Sequence, residues 1–183
     1  MSSLSRVGLT KGKPMAATLW QWDGQPVLTG CGARELLELE LTAFFASRQC
    51  PGTAIRTAMD WALQQASTKR AVISGFHSPL EQSVLKVLMA AGSLVVVVLA
   101  RPVQGAKLPP DWAEPLAKGQ MAVVSGVATA GRLTQQLATE RNAQVAQLAQ
   151  KWAVAYASPG GSLAGQLNQW RLAGQQVDLL WVG

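Results

Sequence analysis

Short apolar runs of strand length alternate along the chain with longer stretches in which apolar residues recur every three to four positions, and polar loops follow the runs. Leu41–Ala46, Ala71–Ser74 and Leu94–Ala100 are apolar on successive residues, as parallel strands covered on both faces must be. Gln120–Ser125, Val154–Ala157 and Val177–Val182 continue the series. Between these runs the period predicts a helix over Thr53–Gln65, with Ile55, Ala58, Met59, Ala62 and Leu63 in the core and Trp61 at its edge. Further helices are predicted over Pro79–Ala91, with Gly92 as its stop, and over Leu133–Gln150, with Leu137, Val145, Leu148 and Ala149 buried. A last one opens in Ser158–Ser162, reaches Leu172 and closes at Gly174.

The first residues fit this alternation less well. Residues 1–14 lack periodicity and read as a flexible basic arm, leaving 15–183 as a single domain. Ala17–Trp22 and Pro26–Leu28 flank Asp23-Gly24, a hairpin turn signal, and a short helix is predicted over Ala33–Glu40. Trp20 and Trp22 share one face of that ribbon, where they either stack on bases or pack on their own domain or a second subunit. Val103–Gly119, with Pro109, Pro110 and Pro115, reads as a surface excursion anchored by Trp112. The pattern as a whole predicts an α/β protein: a doubly wound, mostly parallel Rossmann-like sheet with a small N-terminal β-ribbon.

Ligands of such sheets lie beyond the carboxyl ends of the strands, so the loops there hold the candidate chemistry. After Ala71–Ser74 the chain runs through Gly75, Phe76 and His77 to Ser78, a natural N-cap, and Pro79, whose missing N–H is no loss in a first helical turn. First-turn amides and the hydroxyls of Ser74 and Ser78 are the groups an anion would meet there, phosphate above all. An ordinary strand-to-helix turn has the same outline. Ser47-Arg48-Gln49-Cys50-Pro51-Gly52 repeats it after the preceding strand, Arg101 ends the next, and Gly-rich loops follow Ser125 and Ala157. Arg101 either binds ligand or pairs with an acid at the sheet rim. His77, the only histidine, and Glu81 form either an acid/base pair or a polar loop residue and a helix cap.

Charge narrows the partners. Lys and Arg number 16 against 10 Asp and Glu, a net +6, yet charged residues are only 14% of the chain, so the excess suits a few arginines focused on one cleft and not a polybasic surface. Cys31 and Cys50 have neither paired spacing nor a histidine cluster near them, so no disulfide framework, metal or other cofactor is indicated. No secretory leader pattern follows Met1, and Leu94–Ala100 is too short to cross a bilayer; a cytoplasmic protein without a membrane partner is expected.

Taken in order, Ser47-Arg48, Ser74-Gly75, Ser125, Arg141-Asn142 and Gly161-Ser162-Leu163 resemble the loops of the SLOG superfamily, and within it the DNA-processing protein A group (DprA, also called Smf), over about residues 41–180. The resemblance implies a stand-alone domain that binds single-stranded DNA or a nucleotide phosphate without catalysis and mediates recombinase loading in DNA uptake, typically as a homodimer. It places Arg48 on a phosphate, Ser74 and Gly75 in the anion pocket, Arg141-Asn142 at a helix start beside it, and Gly161 and Ser162 around the backbone. Arg141 is otherwise read as an ion-pair partner of Glu140 or part of a solvated helix face. His77-Ser78-Pro79-Leu80-Glu81 departs from the small residues, Gly and acid usual after Ser-Gly, which marks a separate branch. Pro159-Gly160-Gly161 is also similar to the LOG-type phosphoribohydrolases, whose Pro-Gly-Gly-x-Gly-Thr-x-x-Glu motif has its glutamate replaced here by Leu167. Hydrolysis of an N-glycosidic bond needs such a carboxylate, and a nucleotide-processing enzyme would have to use Glu81 and His77 instead. A nucleotide-sensing module is the third possibility.

Overall fold

The computed structural model describes residues 18–181 and 183, so the basic arm predicted over residues 1–14 lies outside the described residues. Eight strands form one sheet: β1 (Trp20–Trp22), β2 (Leu28–Gly32), β3 (Leu41–Ala46), β4 (Ala71–Ser74), β5 (Val95–Val98), β6 (Met121–Ser125), β7 (Lys151–Tyr156) and β8 (Val177–Leu179). Their order is β1-β2-β6-β5-β4-β3-β7-β8. From β3 to β8 all pairings are parallel, while β1 and β2 form an antiparallel ribbon joined antiparallel to β6. The chain enters the parallel sheet at β3, winds outward through β4, β5 and β6, then returns to the other side of β3 for β7 and β8. The switch point therefore falls between β3 and β7.

Helices α1 (Gly52–Ser67) and α2 (Pro79–Ala90) cover one face, and α4 (Gln135–Leu148) and α5 (Ser162–Leu172) the other; the short α3 (Ala113–Ala117) sits in the excursion between β5 and β6. Burial on both faces explains the unbroken apolar runs: all residues of β3, β4, β5 and β6 are buried. The two-residue period then divides each strand between two cores. Leu41, Ala43 and Phe45 pack towards α4 and α5, where Phe45 meets Trp170 at 4.9 Å between ring centroids. Phe44 and Ala46 pack towards α1 and α2, and Phe44 stacks on Trp61 at 5.0 Å.

The α1 core differs from the predicted one. Ala54, Ala58, Trp61, Ala62 and Gln65 are buried, while Ile55 is 42% and Leu63 58% exposed and Met59 is half-buried. Both stripes have helical spacing and share Ala58 and Ala62; they differ by roughly a quarter turn. Stacking of Trp61 on Phe44 selects the observed one, and alanines let the helix lie close to the sheet. In α2 the buried set is Leu80, Val84, Leu85 and Leu88, with Glu81 among them and Met89 half-buried.

The helix predicted over Ala33–Glu40 is a 3₁₀ segment, Arg34–Glu38, that buries Leu36 and Leu37. It is confined between Gly32, whose φ of +83° turns the chain out of β2, and the start of β3, and so short a segment suits i→i+3 bonding. The ribbon's second strand begins at Leu28, where Pro26–Leu28 was expected, and pairs Trp20 with Gly30. Trp20 covers Gly30, where a Cβ would come within 2.3 Å of the indole, and its Nε1–H donates to the Gly32 carbonyl at 3.0 Å. Arg34 lies 5.0 Å over the Trp22 ring, so both tryptophans pack on their own domain. Trp112 is half-buried against the α1–α2 core, as expected of an anchor. β7 starts three residues earlier than the Val154 predicted.

Candidate anion-binding site

Three loops meet at the carboxyl edge of β4, β3 and β7, and hydrogen bonds join them. After β3, the Ser47 amide donates to the Tyr156 carbonyl at 2.9 Å. The Ser47 hydroxyl accepts from the Ser158 amide at 2.8 Å, and the Ser158 hydroxyl donates to the Gln49 carbonyl at 3.4 Å. The loops on either side of the switch point are thereby stitched together. Arg48 projects from this seam and is exposed.

Glu81 attaches the third loop. Its side chain is only 5% exposed; Oε1 accepts from the Ala46 amide at 3.1 Å, and Oε2 from the His77 and Ser78 amides at 2.8 and 3.1 Å. Ser78 Oγ in turn accepts from the Glu81 amide at 3.4 Å, which completes a capping box. Both carboxylate oxygens are thus engaged by backbone, and Glu81 meets His77 through the His77 amide. As a result α2 has little left for an external anion: Pro79 has no N–H, the Glu81 amide is capped, and the Gln82 amide bonds the Ser78 carbonyl.

The other two helices that open on this edge are different. α1 starts after Pro51 and α5 after Gly161, and neither has a side-chain cap, so their first-turn amides remain for a ligand. Gly160, at φ +74°, turns Pro159-Gly160-Gly161 into α5, and the Gly161 amide closes the turn on the Ser158 carbonyl at 3.0 Å. Pro159, Gly160 and Ser162 are exposed at this turn.

Arg141 occupies the middle of the edge. It lies within α4, which is continuous from Gln135 to Leu148, so the Arg-Asn pair does not open a helix. The Thr134 hydroxyl caps that helix seven residues earlier by accepting from the Leu137 amide, which fixes the start upstream of the pair. Arg141 is 8% exposed and crosses Gly75 so closely that a Cβ there would lie 2.5 Å from its Nε. Its Nη2 donates to Asn142 Oδ1 at 3.3 Å, and among the described residues its buried Nε has no partner. Neither the expected ion pair with Glu140 nor a solvated face is seen; Glu140 accepts from Gln136 instead. Burial lowers the Arg141 pKa while the charge of Glu81 opposes the shift. Asn142 donates to Gln166 of α5 at 3.3 Å and so fixes α4 against α5.

His77 is exposed between these groups. Partial desolvation of its ring, then the Arg141 charge and more weakly Arg48, hold its pKa below the ordinary histidine value, against the pull of Glu81. Arg48, Arg141 and Glu81 therefore all act on one imidazole, and the edge between β4 and β3 is electropositive outside and anchored by a carboxylate inside.

The remaining predicted residues are framework or rim. Ser74 is fully buried and its hydroxyl accepts from the Phe76 amide at 3.1 Å, which holds Phe76 at a φ of +45°, unusual for a bulky residue. Ser125, 1% exposed, accepts from the Val127 amide at 3.0 Å and donates to the Leu99 carbonyl at 3.3 Å. Arg101 is exposed and donates to the Lys107 carbonyl at 3.3 Å, and among the described residues no acid pairs with it. Together with Gly75, His77 and Arg141 it lines a cavity of about 640 Å³. A larger groove of about 1010 Å³, with Thr42, Gln65 and Lys151, opens at the amino ends of the strands, away from every predicted site residue.

The switch-point geometry and the joined loops define a Rossmann-like, doubly wound α/β domain. The family model for DNA recombination-mediator protein A matches residues 14–181, and the chain belongs to that family. Among curated proteins none matches. The solved structure of DNA processing protein A from Streptococcus pneumoniae superimposes with a TM-score of 0.68 at 16% identity, covering 82% of this chain and 53% of that one. DNA processing protein A from Helicobacter pylori, whose structure is described for a unique single-stranded DNA binding mode, gives 0.68 at 11% identity, with 82% and 70% covered. The chain thus spans about half the length of the Streptococcus protein, and at these identities the likeness is one of fold.

Proposed function

We propose that the edge formed by the loops after β3, β4 and β7 binds the phosphate backbone of single-stranded DNA without catalysing a reaction on it. The observation that carries this reading is the convergence of Arg48, Arg141 and two uncapped helix starts on one sheet edge. Sparse positive charge in a cleft gives affinity for phosphate that does not depend on sequence and falls with salt. Membership in the recombination-mediator family supports DNA as the polymer, and it extends the proposal to a recombinase partner and a homodimer. Hydrolysis of a nucleotide has less support. Leu167 is buried where the phosphoribohydrolase motif carries its glutamate, and the oxygens of Glu81 already accept three backbone N–H groups.

Fluorescence anisotropy with a labelled single-stranded oligonucleotide tests the reading. Saturable binding at low salt that weakens steeply as salt is raised is expected; its absence at low salt would end the proposal. Release of free base from nucleoside monophosphates, lost in Glu81→Gln, would instead restore the enzymatic reading.

A further inference from the structure

The groove of about 1010 Å³ at the amino ends of the strands shares no residue with the cavity at the phosphate edge. It opens between the last turns of α1 and the starts of β7 and β8. Gln65 of α1 is 5% exposed and lines it, and among the described residues its buried Oε1 has no donor. Native proteins rarely leave a buried acceptor unpaired, and an N–H of a guest in the groove would satisfy this one. The charges on the rim narrow the guest. Lys151 is engaged by Glu40 at 2.6 Å, while Arg70 and Asp178 line the same groove with no ion-pair partner among the described residues. Asp178 stands beside Ala153 on the α1 face of the sheet, and Arg70 immediately precedes β4, with β3 and β7 between them. At about 4.8 Å per strand their backbones are roughly 14 Å apart, and the two side chains do not meet. A guest with negative charge alone would face Asp178, and one with positive charge alone would face Arg70. A small zwitterion uses both, and its ammonium also supplies the N–H that Gln65 lacks. Trp61 and Ala153 add an apolar lining between the charges.

We infer that this groove binds a free α-amino acid with an apolar side chain. The ammonium donates to Gln65 Oε1 and to Asp178, the carboxylate accepts from Arg70, and the side chain lies along Trp61. The site is at the opposite end of the strands from the proposed DNA edge and does not depend on it. It also accounts for a carboxamide in the buried stripe of α1, where an apolar side chain would pack against the sheet with no hydrogen bond left unmade.

Equilibrium dialysis of the native protein against isotopically labelled L-leucine, L-phenylalanine and L-tryptophan tests the site. Saturable binding of at least one of them is expected. The N-acetyl derivative of that amino acid, which lacks the ammonium, and its amide, which lacks the carboxylate, should each compete at least about tenfold more weakly than the parent. Gln65→Leu replaces an unpaired buried group by an apolar one of similar size, so it should fold as the native chain does and bind about tenfold more weakly. Asp178→Asn and Arg70→Gln, both at exposed side chains, should lose a similar factor. No retention of any of the three amino acids at millimolar concentration would overturn the site, and so would derivatives that compete as well as the parent. Binding that survives all three substitutions would place the amino acid elsewhere and overturn it too. Should Gln65→Leu not fold, the derivatives and the two exposed variants still decide.

Discussion

The starts of α2 and of α1 and α5 look alike in outline, each a strand, a short polar loop and a helix, yet they handle the positive end of the helix in opposite ways. At α2 the protein supplies its own anion: Glu81 folds back, takes the His77 and Ser78 amides and reaches across to Ala46. At α1 and α5 no side chain closes the first turn, and the residues before it are Pro51 and Gly161, which offer no oxygen for a cap. A strand-loop-helix pattern therefore does not by itself make an anion site. What decides is whether a carboxylate of the chain already fills it. The sealed start serves the open ones, because Glu81 fixes the β4 loop, and with it Gly75 beneath Arg141, in register with the end of β3.

The sharpest way to break this contrast is to remove the internal anion. Glu81→Ala leaves the amides of Ala46, His77 and Ser78 without their acceptor; water can reach the last two more easily than the first. A loss of roughly 2–4 kcal/mol in unfolding free energy is expected, read from urea denaturation. Glu81→Gln keeps one carbonyl oxygen and should lose about half as much. A loss below about 0.5 kcal/mol for Glu81→Ala would mean that the loops hold together without it.

Next in size is Gly75→Ala. The added methyl would sit 2.5 Å from Arg141 Nε, and because Arg141 is buried its guanidinium must move to make room. The expected cost is about 1–3 kcal/mol of stability, with weaker oligonucleotide binding at the same time. Unchanged stability and binding would show that Arg141 can leave its place freely. Arg48→Ala, on the exposed side of the seam, separates binding from folding: stability should change by less than about 0.5 kcal/mol, while affinity falls about tenfold and the salt slope drops by about one phosphate contact. An unaltered salt slope would remove Arg48 from the interface.

Much of this was legible before any coordinates. The strand runs were visible because burial on both faces leaves them uniformly apolar, and the loops that follow them had to gather at one edge once the sheet was parallel. Ser78-Pro79-Leu80-Glu81 also spells a capping box, so the sealed start of α2 was written in the spacing; the phosphate-loop outline of the same residues competed with it. What the chain could not show by itself was distance. Ala46 and Glu81 are far apart in sequence, and so are Gly75 and Arg141, and their contacts arise from packing across the sheet edge. The rotation of α1 failed for a similar reason: period alone leaves Ile55 and Ala54 equally placed, and only Phe44 beneath Trp61 decides. The cavity behind Trp112 needs an excursion whose path no periodicity fixes.

The smallest effect probes whether the positive field of the edge reaches its intended guest. In the free protein His77 titrates below its ordinary value, chiefly through partial desolvation and then through Arg141. The unfolded chain thus binds this proton at a higher pH than the folded one. Above the ordinary histidine range both states are neutral and the group has no effect; as pH falls through the unfolded value the contribution to stability declines, and the decline stops below the folded value. His77→Gln should flatten that acid limb, measured as unfolding free energy between pH 7 and pH 5. A bound phosphate reverses the local charge balance, so the imidazole resonance followed by NMR should titrate at higher pH with oligonucleotide than without, and its affinity should rise slightly as pH is lowered across that interval. A His77 titration that ignores saturating oligonucleotide would place the phosphates away from Arg141 and Arg48, and would leave α1 and α5 as open helix starts with nothing to receive.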